Sequence, residues 1–489
     1  MKRLITLVVV LCAMQVTAPL HAADPPKSPA KPNIVFVLAD DLSYVDLGYT
    51  GQKLIATPNI DRLAAGGMRF SQAYAGSSEC APSRASLITG QHMGHCRIRA
   101  NRGIRGRVSL RKNDVTLGEM LKDAGYTAGF VGKWGLGMMN DEGAPFRKGF
   151  DYSLGFYDQG RAHNFYPPYL EENEQIVELA DNRGFDMAAL YAHTKTDRNR
   201  YDDRGNFLAP GVADPARAKN SQALIHAAGL DFIRRSKDRP FFLYYATQLP
   251  HGPLVVPNLG AYKDKDWPLK NKEWAGMVSW LDTCVGEIVA LLRELDLDRR
   301  TIVFFASDNG YSQWGYFARK RWNDDPLFQN KGPWPGGKFA LYEGGCRVPL
   351  CVSWPGRIPA RESSHLCTFY DVMPTLAELV AIRPPKTDGI SFLPELLGKP
   401  DEQRQHDYLY WENGSMMPHG QATRFGPWYA VREHPAKPIG VFDVEQDPHC
   451  ARDVAADRPD LVARATAIFA EAHTDSDQYR NPGESGLKQ

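Results

Sequence analysis

The chain has 489 residues, 43% of them hydrophobic and 24% charged, which suffices for one large domain or two ordinary ones and excludes a disordered or fibrous protein. Lys and Arg number 58 against 57 Asp and Glu. The basic excess expected of a nucleic-acid or anionic-membrane binder is therefore missing, no nucleic-acid partner is expected, and any bound anion must be met by local charge.

Lys2 and Arg3 precede an apolar run from Leu4 to Met14, and the small residues Ala18, Ala22 and Ala23 follow. This predicts a cleaved signal peptide over 1–23 and a flexible, Pro- and Lys-rich mature N-terminus over 24–32. The expected protein is exported, periplasmic or secreted. No membrane span is expected, since the leader is too short to span comfortably and no other unbroken apolar run reaches roughly eighteen residues. Cys12 leaves with the leader. The remaining cysteines show no C-x-x-C pair, which argues against a zinc ribbon or redox motif, and their odd number leaves one unpaired or chemically special.

Asn33 to Ala39 is a nearly continuous apolar run rich in β-branched residues, the pattern of a strand buried on both faces. Val115 to Gly125 reads as a helix with Val115, Leu117, Met120 and Leu121 apolar, and Thr127 to Val131 as the next strand. Phe241 to Ala246 repeats the strand pattern. Lys272 to Leu295 places Trp274, Met277, Leu281, Val285, Ile288, Leu292 and Leu295 on one helical stripe. Thr301 to Ala306 and Pro349 to Trp354 complete the strands. Strands separated by helices predict an α/β fold: a mixed, mostly parallel sheet with helices on both faces. From about Pro384 the character changes, with short aromatic runs at Tyr408 to Trp411 and Trp428 to Val431. A helix follows over Pro459 to His473, turning Leu461, Ala465, Ile468, Phe469 and Ala472 inward. A main domain over 33–384 and a smaller C-terminal subdomain over 385–489, an antiparallel sheet with a helix, are expected.

Polar residues follow each of the first four strands: Asp40 and Asp41, Lys133, His251, then Asp308 and Asn309. In such sheets ligands bind beyond the carboxyl ends of the strands. Asp40, Asp41, Asp308 and Asn309 are oxygen donors suited to a hard cation, Ca²⁺ or alternatively Mg²⁺, and no His or Cys cluster points to zinc.

The run Cys80-Ala-Pro-Ser-Arg84-Ala-Ser-Leu-Ile-Thr89-Gly90 resembles the C-x-P-S-R-x-x-x-x-T-G signature of the sulfatase family, whose cysteine is oxidised to formylglycine. Further segments resemble the family in order: Thr57 to Ala64, Gly132 to Trp134, Pro250 to Pro253, Ser307 to Gly310, Lys338 to Gly345 and Phe442 to Pro448. The resemblance implies an alkaline-phosphatase-like fold and a hydrolase of sulfate esters acting on a sulfated sugar. It also implies a formylglycine-generating maturation enzyme as partner. Residue 80 would be the nucleophile and a metal neighbour, with Asp40, Asp41, Asp308 and Asn309 as metal ligands. Arg84 would orient residue 80, Lys133 and Lys338 would neutralise the sulfate oxygens, and His251 would protonate the leaving alcohol. A phosphodiesterase or phosphonate monoester hydrolase of the same superfold, and an inactive sulfated-glycan-binding protein, stay open as alternatives.

The basic stretch from His95 to Arg107, with Arg97 and Arg99, is a candidate for holding a polyanionic substrate. The aromatic segments Gln159 to Tyr169 and Ser312 to Trp334 have the composition of sugar-stacking loops. The chain departs from the family pattern at Gly135: the commoner form is G-K-W-H-L-G, whose His contacts the formylglycine hydroxyl. His163 is the expected substitute, with His95 as a second candidate.

Overall fold

The structure, a computed structural model, describes residues 31–188, 200–312, 325–413 and 420–479. The expected leader and all but the end of the mature N-terminus lie outside the described residues, as do 313–324 of the Ser312 to Trp334 segment.

The strands of the main sheet are β1 (Asn33–Ala39), β2 (Met68–Phe70), β4 (Thr127–Lys133), β5 (Tyr152–Phe156), β6 (Tyr169–Glu172), β7 (Gln175–Glu178), β8 (Phe241–Ala246), β9 (Thr301–Ser307), β10 (Leu350–Ser353) and β11 (Arg361–Ser363). They form one ten-stranded sheet in the order β11-β2-β10-β9-β1-β8-β4-β5-β6-β7. A short parallel pair, β3 (Ala73–Tyr74) with β12 (Cys367–Thr368), stands apart. The central strands β9, β1, β8, β4 and β5 run parallel, while β10 and the β5-β6-β7 edge pair antiparallel. This is the mixed, mostly parallel sheet expected.

The alternation along β1 explains its unbroken apolar sequence. Ile34, Phe36 and Leu38 enter one core with Phe130, Tyr244 and Phe304, whereas Val35, Val37 and Ala39 enter another with Tyr245, Leu281 and Phe305. Helices Cys80–Thr89, Leu117–Asp123 and Val372–Leu379 cover the first face. Pro58–Ala65, Ser221–Ser236 and Leu269–Glu294 cover the second. A strand walled on both sides has no polar face to show, so periodicity disappears from its sequence.

Helix boundaries differ from the sequence expectation for local reasons. Thr116 and Glu119 form a reciprocal capping box, so the helix starts at Leu117 and leaves Val115 outside, 43% exposed. The long helix begins at Leu269, just after Pro268. Among the described residues it is the one helix long and apolar enough to cross a membrane, and 61% of its most apolar stretch is buried within the protein. None of Cys80, Cys96, Cys284, Cys346, Cys351, Cys367 and Cys450 is disulfide-bonded among the described residues.

The C-terminal part contributes an antiparallel sheet of β13 (Leu409–Glu412), β14 (Gln421–Phe425), β15 (Trp428–Arg432) and β16 (Gly440–Asp443). Helix Pro459–Ala472 packs on it through Leu461, Ala465, Ile468, Phe469 and Ala472. Strand β14 escaped the sequence reading because its buried residues are polar. Thr423 binds the Leu409 carbonyl, and Arg424 donates to the Tyr74 hydroxyl at 2.6 Å and to Glu343 at 3.3 Å. The Glu343 bond ties the small sheet to the segment that carries Lys338, as do Tyr429 with the Leu341 carbonyl and Asn413 with the Phe339 carbonyl. Arg424 is 1% exposed. Removing one partner of a buried ion pair leaves the other desolvated, so Arg424→Ala is expected to lower stability by about 3 kcal/mol, read as a fall in denaturant midpoint at unchanged slope.

Candidate active site

Four adjacent parallel strands end level with one another: Ala39 pairs with Ser307, Leu38 with Ala246, and Ala246 with Gly132. The residues just beyond therefore converge. Asp40 and Asp41 leave β1, Asp308 and Asn309 leave β9, His251 follows the turn after β8, and Lys133 closes β4. Asp41 adopts a left-handed φ of 67°. Its N–H donates to Asp308 Oδ1 at 3.1 Å, a bond that holds this unfavourable backbone.

Cys80 opens the helix Cys80–Thr89, every residue of which is buried. Glu79 supplies no side-chain cap, and the Ala81 N–H is met instead by Asn101 Oδ1 at 3.0 Å. Asn101 in turn donates its backbone N–H to Glu79 at 3.0 Å. Sequence reasoning missed this clamp, because a cap from twenty residues downstream leaves no local signature. One turn after Cys80, Arg84 donates through Nε and Nη2 to Asp308 Oδ2 at 3.0 and 2.8 Å. Its Nη1 donates to the Lys133 carbonyl, binding helix, β4 and β9 together.

Lys133 Nζ lies 2.6 Å from Asp40 Oδ2, and Arg84 Nη2 lies 3.6 Å from the same oxygen. Cys80 Sγ is 3.5 Å from Asp40 Oδ1. Lys338 Nζ lies 2.7 Å from Asp41 Oδ1 and 3.1 Å from His251 Nε2. His251 Nδ1 meets the Gly252 carbonyl. Because a carbonyl only accepts, Nδ1 carries the proton and Nε2 accepts from Lys338. The carboxylates of Asp40, Asp41 and Asp308 thus face the cations of Arg84, Lys133 and Lys338, all of them buried.

Burial alone would raise the Asp41 carboxyl, but Lys338, His251 and Lys133 hold it well below the usual carboxylate range. Asp308 goes the other way, raised by burial and by the Asp40 charge despite Arg84. Burial and then Lys338 pull His251 down to about 3. Burial followed by Asp308 pushes the Cys80 thiol far up. A thiol so placed stays protonated and is a poor nucleophile.

The oxygen donors fit a hard divalent cation. Asp40, Asp41, Cys80 and His251 each offer a ligand atom within 4.8 Å of the others. Asn309 Nδ2 donates to Asp41 Oδ1 and to the Gly310 carbonyl, whereas the buried Asn309 Oδ1 has no hydrogen-bond partner. An orphaned buried acceptor beside three carboxylates is the arrangement a cation satisfies.

His163 joins the cluster: its ring stacks on His251 with centroids 4.3 Å apart and planes at 13°. Burial, then His251 and Lys133, hold it well below the ordinary histidine range, so it packs as a neutral ring. His163→Ala is expected to cost roughly 10²-fold in kcat/KM by freeing His251, with Tm little changed. A loss under threefold at saturating and limiting substrate alike would remove His163 from the site.

The basic stretch is not drawn in. His95 Nδ1 binds Asp388 at 2.8 Å, Arg97 pairs with Asp477 at 3.0 Å, and Arg99 pairs with Glu412 at 2.8 Å and with Thr474. These side chains fasten the loop after the Cys80 helix to the C-terminal part, each paired with a carboxylate there. His92, His95 and Asp388 form a second metal-like group. However, Gly94 N–H donates to His92 Nδ1 at 3.2 Å, and His92 N–H to Asp388 at 3.0 Å, so the group serves as a loop latch. In the Gln159 to Tyr169 segment, Phe165 and Tyr166 are buried, and Tyr166 stacks on Phe207 at 5.3 Å. Core packing explains their aromatic character better than sugar stacking does.

Buried cations and carboxylates gathered at the carboxyl ends of a parallel sheet, with a potential nucleophile opening a buried helix, have the arrangement of an ester hydrolase site. The comparisons carry this further. The Sulfatase family model matches residues 32–382, and the chain belongs to the sulfatase family, the hydrolases of sulfuric esters. It is 33% identical to N-acetylgalactosamine-6-sulfatase of Canis lupus familiaris over 406 residues, covering 80% of this chain and 70% of that protein. It is 28% identical to N-acetylgalactosamine-6-O-sulfatase of Bacteroides thetaiotaomicron over 506 residues, covering 91% and 93%. Among solved structures, Ps i-CgsB in complex with k-i-k-neocarrahexaose superposes with a TM-score of 0.74 at 26% identity, covering 92% of this chain and 95% of that one.

Proposed function

We propose that this sulfatase removes sulfate from a sulfated sugar, using residue 80 in its formylglycine form and a divalent cation, Ca²⁺ or alternatively Mg²⁺. The observation that carries the reading is the convergence of Lys133, Lys338 and His251 around Cys80 and the oxygen donors. The sugar is supported by the named substrates of the relatives. Asp40, Asp41, Asp308 and Asn309 would hold the cation, which would supply Lewis-acid stabilisation of an oxygen nucleophile and of sulfate, and residue 80 as hydrated formylglycine would offer one hydroxyl for attack and a second for releasing sulfate.

The remaining chemistry belongs to the chain's own side chains. Arg84 fixes the Asp308 carboxylate, and with it the neighbouring Asp41 backbone. Lys133 and Lys338 move from their carboxylate partners toward the sulfate oxygens, where negative charge accumulates during transfer. His251 serves as the general acid to the departing sugar oxygen, delivering from Nε2 a proton taken up from solvent once Lys338 has turned to the sulfate. The Gly252 carbonyl keeps the Nδ1 proton in place, so that Nε2 is the nitrogen that exchanges.

The same reading makes residues 1–23 a signal peptide and 24–32 a flexible lead-in to a catalytic domain over 33–384 and a smaller subdomain over 385–489. It also makes the product exported, with Cys80 converted by a formylglycine-generating enzyme. Sulfate release should be measured on a panel that includes N-acetylgalactosamine 6-sulfate and sulfated carrageenan oligosaccharides. At least one sugar is expected to exceed its phosphate analogue in kcat/KM by about 10²-fold. A preference for phosphate esters would return the phosphodiesterase reading.

A further inference from the structure

Gly135 has φ +78°, a conformation that side chains rarely adopt. A Cβ built there would also lie 3.0 Å from Gln159 Oε1 and 3.1 Å from Gln159 Cβ. Both backbone and space therefore keep position 135 bare, and Gln159 occupies the volume. Gln159 is 6% exposed, and its Oε1 is buried with no hydrogen-bond partner.

Its neighbours set this orphaned oxygen beside the two segments that carry Lys133 and His163. On one side, Gly135 N–H donates to the Tyr157 carbonyl at 3.1 Å, and Lys133, two residues earlier, reaches Asp40. On the other, the Gln159 carbonyl accepts from Ala162 N–H at 3.2 Å at the start of the turn that delivers His163 onto His251. A carboxamide oxygen can only accept, which excludes an anion as its partner. Among the described residues nothing donates to this oxygen, so its donor comes from a bound molecule, and a hydroxyl is the commonest neutral donor on a sugar.

We propose that Gln159 is a specificity-determining residue whose Oε1 accepts a hydrogen bond from a hydroxyl of the sugar that carries the sulfate. This rests on the sulfated-sugar reading above. A site that hydrogen-bonds a substrate hydroxyl discriminates strongly against analogues lacking it, because its own polar group is then left unpaired.

The test compares wild type with Gln159→Leu, which keeps the volume and removes the acceptor, on two substrates: the best sulfated sugar of the panel and 4-nitrophenyl sulfate, which has no ring hydroxyl. The expected result is a loss of about 10-fold or more in kcat/KM on the sugar and under threefold on the aryl sulfate. Equal losses on both substrates, or none on either, overturn the proposal while leaving the sulfatase reading intact. A wild type that cleaves 4-nitrophenyl sulfate and no sulfated sugar overturns the sugar reading, and this proposal with it. Should Gln159→Leu melt early, monodeoxy analogues of the sugar carry the test on the wild type. One deletion is expected to cost about 10-fold, and uniform turnover of all of them overturns the proposal.

Discussion

Cys80→Ala is expected to abolish sulfate release, lowering kcat/KM by about 10⁴-fold or more, while Tm moves by no more than about 3 °C. Cys80 is 2% exposed, and its Sγ makes one polar contact among those described, 3.5 Å from Asp40 Oδ1. Alanine suits a helix better than cysteine, and the Asn101 cap on Ala81 does not depend on the side chain at 80. Structure and chemistry therefore separate cleanly at this position. Parallel measurements of turnover and thermal unfolding decide the matter, and an alanine variant near wild-type activity would remove residue 80 from the reaction.

Asp308→Ala is expected to do at least as much damage as Lys338→Ala, about 10³-fold or more in kcat/KM. The two residues differ in what depends on them. Lys338 contributes one positive charge near Asp41 and His251. Asp308 receives two donors from Arg84 and the Asp41 N–H, so its loss leaves a guanidinium that is 0% exposed with only Asp40 at 3.6 Å and the Lys133 carbonyl, and releases a left-handed aspartate. A stability loss of about 3 kcal/mol should accompany the activity loss, whereas Lys338→Ala should melt closer to wild type. Exhaustive chelation should silence the wild type, and added Ca²⁺ should restore it but leave Asp308→Ala inactive. An Asp308→Ala protein more active than Lys338→Ala would contradict the assignment of the oxygen donors.

The central strands were legible because burial on both faces leaves the middles of β1, β8 and β9 without a charged or amide side chain. The functional residues were legible because they interrupt that pattern where each strand ends. Edge strands β6 and β7 carry Glu171, Glu172, Gln175 and Glu178 and show no apolar run, so nothing marked them. Strand β14 hid behind Gln421, Thr423 and Arg424, whose burial depends on partners more than 10 positions away. The same limit hid the partners of His95, Arg97 and Arg99, because Asp388, Asp477 and Glu412 come from distant parts of the chain. Within the segment Gln159 to Tyr169, nothing marked Gln159 itself, because its meaning lies in the side chain that Gly135 lacks.

The most direct measurement is the mass of the peptide containing Cys80, taken from protein that is releasing sulfate. The account predicts a peptide about 18 Da lighter than the thiol form, the difference between CH₂SH and CHO, in proportion to specific activity. Full activity from protein whose Cys80 is entirely an unmodified thiol would contradict it.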